Sequence, residues 1–190
     1  MKQYSKIINV GSLNKKNIEM TVPSLVEMVE KIINLHKDSK GIIYANNLLI
    51  SDRLKCSKIL IPRLKTLYMT DPGNNENILE KFRFNRYEEN TIIMSPSGDL
   101  PIIQEEDECE FKIICKIPWG NIGNPEIAAL AENNQKAYQE QMVHTFIDQF
   151  RTKSKNDQIA YILDETMKYF VLNKYSHLIP REMQRSFSNW

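Results

Sequence analysis

Two loops hold most of the side chains in this sequence that chemistry could use. Ser95-Pro96-Ser97-Gly98-Asp99-Leu100-Pro101 follows the apolar run Thr91-Ile92-Ile93-Met94. Pro118-Trp119-Gly120-Asn121-Ile122-Gly123-Asn124-Pro125 follows Phe111-Lys112-Ile113-Ile114-Cys115-Lys116-Ile117. In an open α/β sheet, ligands bind beyond the carboxyl ends of the strands, and these loops are placed there. The same compositions also make ordinary surface turns. Other reactive side chains offer less. Cys56, Cys109 and Cys115 are an odd set at wide spacings, neither a disulfide ladder nor a metal-ligand set, and Cys115 reads as a small buried hydrophobe. His36, His144 and His177 show no ligand spacing. His144 precedes Asp148 by about one helical turn, a pair able to orient a base, but no nucleophile is placed for it, so a helix-face hydrogen bond is the simpler reading. The acidic run Gln104–Glu110 reads as a solvated loop, because adjacent acids on a loop diverge; a metal site there is the minor alternative.

Several common devices are missing from the sequence. No GxxxxGK(S/T) phosphate loop occurs, and no GxGxxG follows a strand. There is no GxSxG elbow, no HExxH and no CxxC. Without a phosphate-cradling loop at a helix N-terminus, the chain lacks the main means of holding a nucleotide by itself.

The totals set the class. A length of 190 residues fits one domain able to bury a real core, and the 42% apolar and 26% charged shares are those of a globular protein. No apolar run approaches a membrane span and no signal-peptide pattern opens the chain, so no membrane partner is expected. The cysteine usage fits a reducing, cytoplasmic setting. A net charge of +1 gives no global support to a stand-alone nucleic-acid binder, though a local basic face fits within it.

The elements that would position the loops follow from periodicity. Lys6–Val10 is a short entering strand, and Gly11–Asn17 a polar connector. Pro23 opens a helix with Ser24 and Glu27 in capping-box spacing and Leu25, Met28, Val29, Ile32 and Leu35 as its stripe, with His36 a solvated last-turn residue. Ile42–Ala45 is a buried strand, and Asn47 caps a helix reaching about Ile59. Thr66–Met69 is a strand, Asp71–Asn74 a turn, and Asn75–Asn85 a helix with Ile78, Leu79 and Phe82 inward. After the two core strands, Asn133–Arg151 is the longest helix, with Tyr138, Met142, Val143, Phe146, Ile147 and Phe150 buried. Ile159–Leu163 is the last strand, closed by Asp164, and two short helices, Glu165–Phe170 and Pro180–Phe187, form the tail. Helices alternating with apolar strands argue for a mostly parallel sheet covered on both faces, in one domain of residues 1–190 with an entering segment at 1–22 and a helical tail at 165–190.

In this order the segments resemble the C-terminal motor half of superfamily 2 DNA helicases of the DinG/XPD type, from about Lys40 to Phe170. Gly41-Ile42-Ile43-Tyr44-Ala45-Asn46-Asn47 is similar to that half's first strand and loop, with Asn46 where the family has a hydroxyl residue facing the nucleic-acid backbone. Ile78-Leu79-Glu80-Lys81-Phe82 resembles its helix ending in Lys/Arg-Phe. Ser95-Pro96-Ser97 and Asp99-Leu100-Pro101 resemble the two ends of its SPS…EGxDLP segment. Lys116-Ile117-Pro118-Trp119 with Gly123-Asn124-Pro125 is similar to its K-L/V-P-F/Y…G-D-P segment, and Tyr161-Ile162-Leu163-Asp164 resembles the strand after its arginine motif. The resemblance implies a RecA-like fold, akin to the P-loop NTPases but without a P-loop.

The departures bear on function. The family's loop between Ser97 and Asp99 is shortened, and its Glu is absent. Its QxxGRxxR motif falls on His144–Arg151, where His144 replaces the Gln, Ile147 the Gly and Asp148 the first Arg; only Arg151 is retained. In such motors an arginine offsets charge on the transferring phosphoryl group, worth roughly 10³-fold or more in rate, and an aspartate there would repel it. The partner half, with the phosphate loop and the magnesium-binding acid, lies outside this sequence. The isolated chain is therefore expected to hold no cofactor and hydrolyse no ATP; ATP and magnesium enter only with a partner half.

Three readings follow. In the first, a helicase-like domain contacts single-stranded DNA, another nucleic acid or a protein, with Asn46, Ser95, Ser97 and Lys116 lining the backbone-facing edge. In the second, the chain is the second motor half of a split or truncated helicase, with Arg151 and Asp99 facing ATP held by a helicase N-terminal half. In the third, it is an α/β interaction domain whose helicase likeness is a relic, with Trp119 and Trp190 as contact points. The abundance of Asn, Lys and Ile fits an AT-rich genome, as in a phage or a low-GC bacterium.

Overall fold

The computed structural model describes residues 3–68, 70–84, 90–97, 109–151 and 158–187. Six strands, β1 (Gln3–Ile7), β2 (Gly41–Tyr44), β3 (Leu64–Thr66), β4 (Ile92–Ser95), β5 (Phe111–Ile114) and β6 (Gln158–Ile162), form one sheet in the order β1-β6-β5-β2-β4-β3. Every neighbouring pair is parallel, with β2 at the centre, where Gly41 faces Ile92 on one side and Phe111 on the other. A parallel sheet needs crossover helices and is buried on both faces, which is why β2, β4 and β5 are runs of buried residues rather than alternating ones.

Alternate residues serve two cores. Ile42, Tyr44, Ile93, Ile114 and Ile162 pack with Phe82 of α3 (Pro72–Arg83) and with Met142, Val143, Phe146 and Phe150 of the helix Gln135–Phe150. On the other face, Ile43, Ala45, Ile92, Met94, Ile113 and Cys115 meet α1 (Ile18–Leu35) and α2 (Leu48–Lys55). The expected α/β sheet with helices on both faces is observed. Cys115 is the buried hydrophobe expected, and burial raises its thiol pKa far above the usual range.

Several boundaries differ from the sequence reading. The first strand begins at Gln3 and ends at Ile7, because its pairing with β6 sets the register and the Asn9 side chain then accepts from Gly11 N–H at 2.8 Å to start a turn. α1 starts at Ile18, so Pro23 lies inside it and the Ser24–Glu27 box caps nothing. Pro23 is exposed, so the carbonyl it leaves unpaired faces water. Leu35 is exposed and Ile33 takes its place in the stripe. α2 stops at Lys55, and β3 is Leu64–Thr66 rather than Thr66–Met69, of which Met69 lies outside the described residues. The expected turn at Asp71–Asn74 is the start of α3: Asp71 Oδ1 accepts from Asn74 N–H at 3.1 Å, with Pro72 as first helical residue.

The helix expected over Asn133–Arg151 is α5 (Gln135–Phe150), though α1 is longer, and a helix that the sequence reading did not expect, α4 (Pro125–Asn133), precedes it. Asn134 makes the break, ending α4 while its side chain accepts from Ala137 N–H at 3.0 Å to cap α5. In the tail, the short helix expected over Pro180–Phe187 is observed as α6 (Arg181–Phe187), while the one expected over Glu165–Phe170 is a wide-turned helix at Met167–Lys174. Among the described residues no group of three His, Cys, Asp or Glu is placed to hold a metal, and no helix is long and apolar enough to cross a membrane. Most of the acidic run lies outside the described residues, as does Trp190.

His36 is half-buried rather than solvated. Its ring stacks on Phe111 with centroids 4.5 Å apart, and its Nε2 lies 2.9 Å from the Tyr161 hydroxyl. Burial holds its pKa below the usual value; Glu110 opposes that, while Arg63 and Lys6 reinforce it. Because the folded state then binds fewer protons than the unfolded one, the stability His36 contributes is complete above about pH 6.5 and is lost as pH falls below it. Chemical denaturation of wild type and His36→Gln across pH 5–8 checks this: the wild type loses stability towards the acid end, and the variant loses less. The same Phe111 ring fills the space over Gly41, where any Cβ would run into it. Gly41→Ala is therefore expected to cost about 1–3 kcal/mol in denaturant unfolding.

Candidate nucleic-acid interface

The carboxyl edge of the sheet is built by the segments that leave β2, β4, β5 and β6. The ladder runs past the strands and holds these exits together: Ala45 N–H donates to Ser95 O (2.9 Å), Cys115 N–H to Tyr44 O (2.9 Å) and Leu163 N–H to Ile114 O (3.0 Å). Immediately beyond, Asn46 takes a left-handed backbone with φ of 51°, which Asn tolerates better than most residues. Its Nδ2 donates to Lys116 O (2.7 Å) and to Gln149 Oε1 (2.8 Å), and Gln149 Nε2 donates back to Asn46 Oδ1 (2.9 Å). The Asn46 amide thus joins the exits of β2 and β5 to α5, with both its hydrogens engaged inside the protein. Asn47, next in the chain, caps α2 by accepting from Ile50 N–H at 3.2 Å.

The other predicted residues are placed as follows. Ser95 is buried and its Oγ donates to Ser97 O at 2.8 Å, closing a tight turn, while Ser97 is half-buried. Lys116 is half-buried with its ammonium in no hydrogen bond or contact ion pair among the described residues; burial lowers its pKa and the charge of Asp164 opposes that. Asp164 is itself buried, accepting from Ile117 N–H (3.0 Å) and Thr166 N–H (2.9 Å), so it clamps the exit of β5 to that of β6. Trp119 is partly buried between Tyr138 (centroids 6.1 Å apart) and Phe170 (5.0 Å).

Arg151 sits at the end of α5 with its guanidinium 3.6 Å from the Glu182 carboxylate of α6, both side chains well exposed. Asp99 lies outside the described residues. His144 and Asp148 are both on the exposed face of α5, and no hydrogen bond joins them. The structure therefore gathers Asn46 and Lys116 at one point of the edge, with Ser95 and Ser97 on the neighbouring exit and Arg151 just past Gln149, at the C-terminal end of the helix that braces it. Sequence reasoning missed Gln149. Its signal was a long polar residue amid the apolar stripe Phe146, Ile147 and Phe150, a position where an amide is buried only if partnered.

No protein-family model and no curated protein matches this sequence. Solved structures do match. An XPD helicase aligns over 94% of this chain and 35% of its own, with 13% identity and a TM-score of 0.64. Xpd4 of S. tokodaii aligns over 96% and 38%, with 9% identity and a TM-score of 0.59. The C-terminal domain of the DEAD-box protein Dbp5 aligns over 95% of this chain and 87% of its own, with 14% identity and a TM-score of 0.52. The chain has the fold of a superfamily 2 helicase C-terminal domain. It spans little more than a third of the XPD-type structures it matches.

Asp164→Asn tests the clamp. An amide can accept from one of the two N–H groups but turns its own NH₂ towards the other, so the variant is expected to lose about 1–3 kcal/mol in urea unfolding. Loss of the negative charge also removes the influence that raises the Lys116 pKa, and the amine is expected to titrate at lower pH by NMR.

Proposed function

We propose that this helicase-like domain acts by holding a nucleic-acid backbone, in the first instance single-stranded DNA, along the carboxyl edge of its sheet, without hydrolysing ATP on its own. The observation that carries the reading is Lys116: a half-buried ammonium without a contact ion pair among the described residues, at the edge of a helicase-type fold. A cation in that state is available to a phosphate, and phosphate contacts position a strand without reading its sequence. Asn46 and Ser95 serve this edge by shaping it, since their donors are engaged within the protein. A structure of similar fold, Mss116p domain 2, is described as bound to an RNA duplex, and RNA is the natural competitor ligand to test. ATP and magnesium belong to this reading only through a partner that brings the missing half.

A second reading rests on Arg151. Its guanidinium is exposed and only loosely paired with Glu182, so it is open to an ATP carried by another chain. ATPase activity that arises only on mixing with such a half, and that falls with Arg151→Ala, would favour it.

Fluorescence anisotropy of labelled single-stranded DNA, from low to physiological salt, tests the first reading. Binding is expected to weaken as salt rises, with Lys116→Ala lowering affinity several-fold and reducing the slope of log K against log salt by about 0.7. Absence of binding to DNA and RNA at low salt sinks it.

A further inference from the structure

The residue that gives this edge its shape lies on α5, outside the loops themselves. We infer that Gln149 is the positioning residue of the carboxyl edge, holding the exits of β2 and β5 in register through the side chain of Asn46. Gln149 is 1% exposed, among the buried residues Phe146, Ile147 and Phe150. A Leu or Met would fill such a site at lower desolvation cost, so a buried amide there is retained only with its hydrogen bonds made. Both ends of the amide are used on Asn46, at 2.8 Å and 2.9 Å, and Asn46 in turn holds Lys116 O at 2.7 Å. Asn46 is the described non-glycine residue with positive φ. Such a backbone persists when the surroundings over-determine it, and the paired amide supplies that restraint. The helix end that carries Gln149 is fixed from below: Lys112 Nζ, on β5, donates to Gln149 O (3.0 Å) and to Arg151 O (2.8 Å). The amide of Gln149 therefore stands on an anchored base, and the two exits hang from it. Its functional consequence, that Lys116 is presented to a strand at a set place, rests on the nucleic-acid reading above; its structural part does not.

Gln149→Met keeps the volume and removes both hydrogen bonds. Amide hydrogen exchange at Asn46, Asn47, Lys116 and Ile117 is expected to quicken by about tenfold or more, while β1 and β6 amides hold their rates. In an Asn46→Gly background, where φ above zero needs no support, the same substitution should add nothing. Exchange that quickens equally across the sheet, or effects of the two substitutions that simply add, would overturn the positioning role and leave Gln149 as core packing. Against single-stranded oligothymidylate, Gln149→Met is expected to weaken binding about fivefold with an unchanged salt slope, because no phosphate-neutralising charge is lost. Loosened exits with unchanged affinity would overturn the functional consequence. Should the wild type bind no oligonucleotide, the nucleic-acid reading falls, and the exchange rates and the double substitution still decide the role of Gln149.

Discussion

Running every strand of the sheet in one direction forces the crossover helices to run back in the other. Each helix C-terminus leaves unpaired carbonyls and the negative end of its dipole. Buried or half-buried cations meet them. Lys40 Nζ donates to Phe82 O at the end of α3 (2.7 Å), and Lys112 Nζ to Gln149 O and Arg151 O at the end of α5. Arg63 does the same for α1, donating to Ile33 O, His36 O and Ser39 O, and its Nε reaches Asn90 O at 2.6 Å. A buried charge is costly unless it is hydrogen-bonded, so each of these cations fixes a helix end to one place on the sheet.

That anchoring bears on the geometry of the carboxyl edge. α5 is held at its end by Lys112, so the side chain of Gln149 meets Asn46 at a defined point, and Asn46 holds the backbone of Lys116. Asp164 ties the next exit by two backbone N–H groups. The edge is thus a small polar network with partners on four elements, the kind of network that specifies one arrangement when fully satisfied. The N-terminus of α2 follows this exit directly and is capped by the neutral amide of Asn47, whereas the caps of α3 and α5 are the carboxylate of Asp71 and Asn134, where α4 also ends.

Much of this was legible in the sequence. The runs Ile42–Ala45, Thr91–Met94 and Phe111–Ile117 identified the central strands because burial on both faces leaves no alternation to misread. Asn47 was read correctly as a cap because its partner lies three residues on. The errors arose where tertiary context outvotes local signals. Pro23 reads as a helix start, yet its exposed position lets the helix run through it. α4 was missed because Pro125–Asn133 holds no buried residue and so shows no apolar stripe that marks a packed helix. His36 could not be seen as half-buried, because Phe111 and Tyr161 reach it from strands far away in sequence. The pairing of Gln149 with Asn46 spans more than a hundred residues and has no local signature at all.

The orientation of α5 bears on what the edge can do. His144 and Asp148 are exposed, and the inward position beside them is taken by the neutral amide of Gln149. Asp148 therefore lies on the exposed face of α5, and the described carboxylate at this edge is the buried Asp164, engaged by Ile117 N–H and Thr166 N–H. Arg151, for its part, is drawn towards Glu182 on α6. On the proposed nucleic-acid reading, the Lys116 ammonium and the backbone that Asn46 shapes would meet phosphates by charge and shape. None of those groups distinguishes one base from another, so a strand held there would be held irrespective of its sequence.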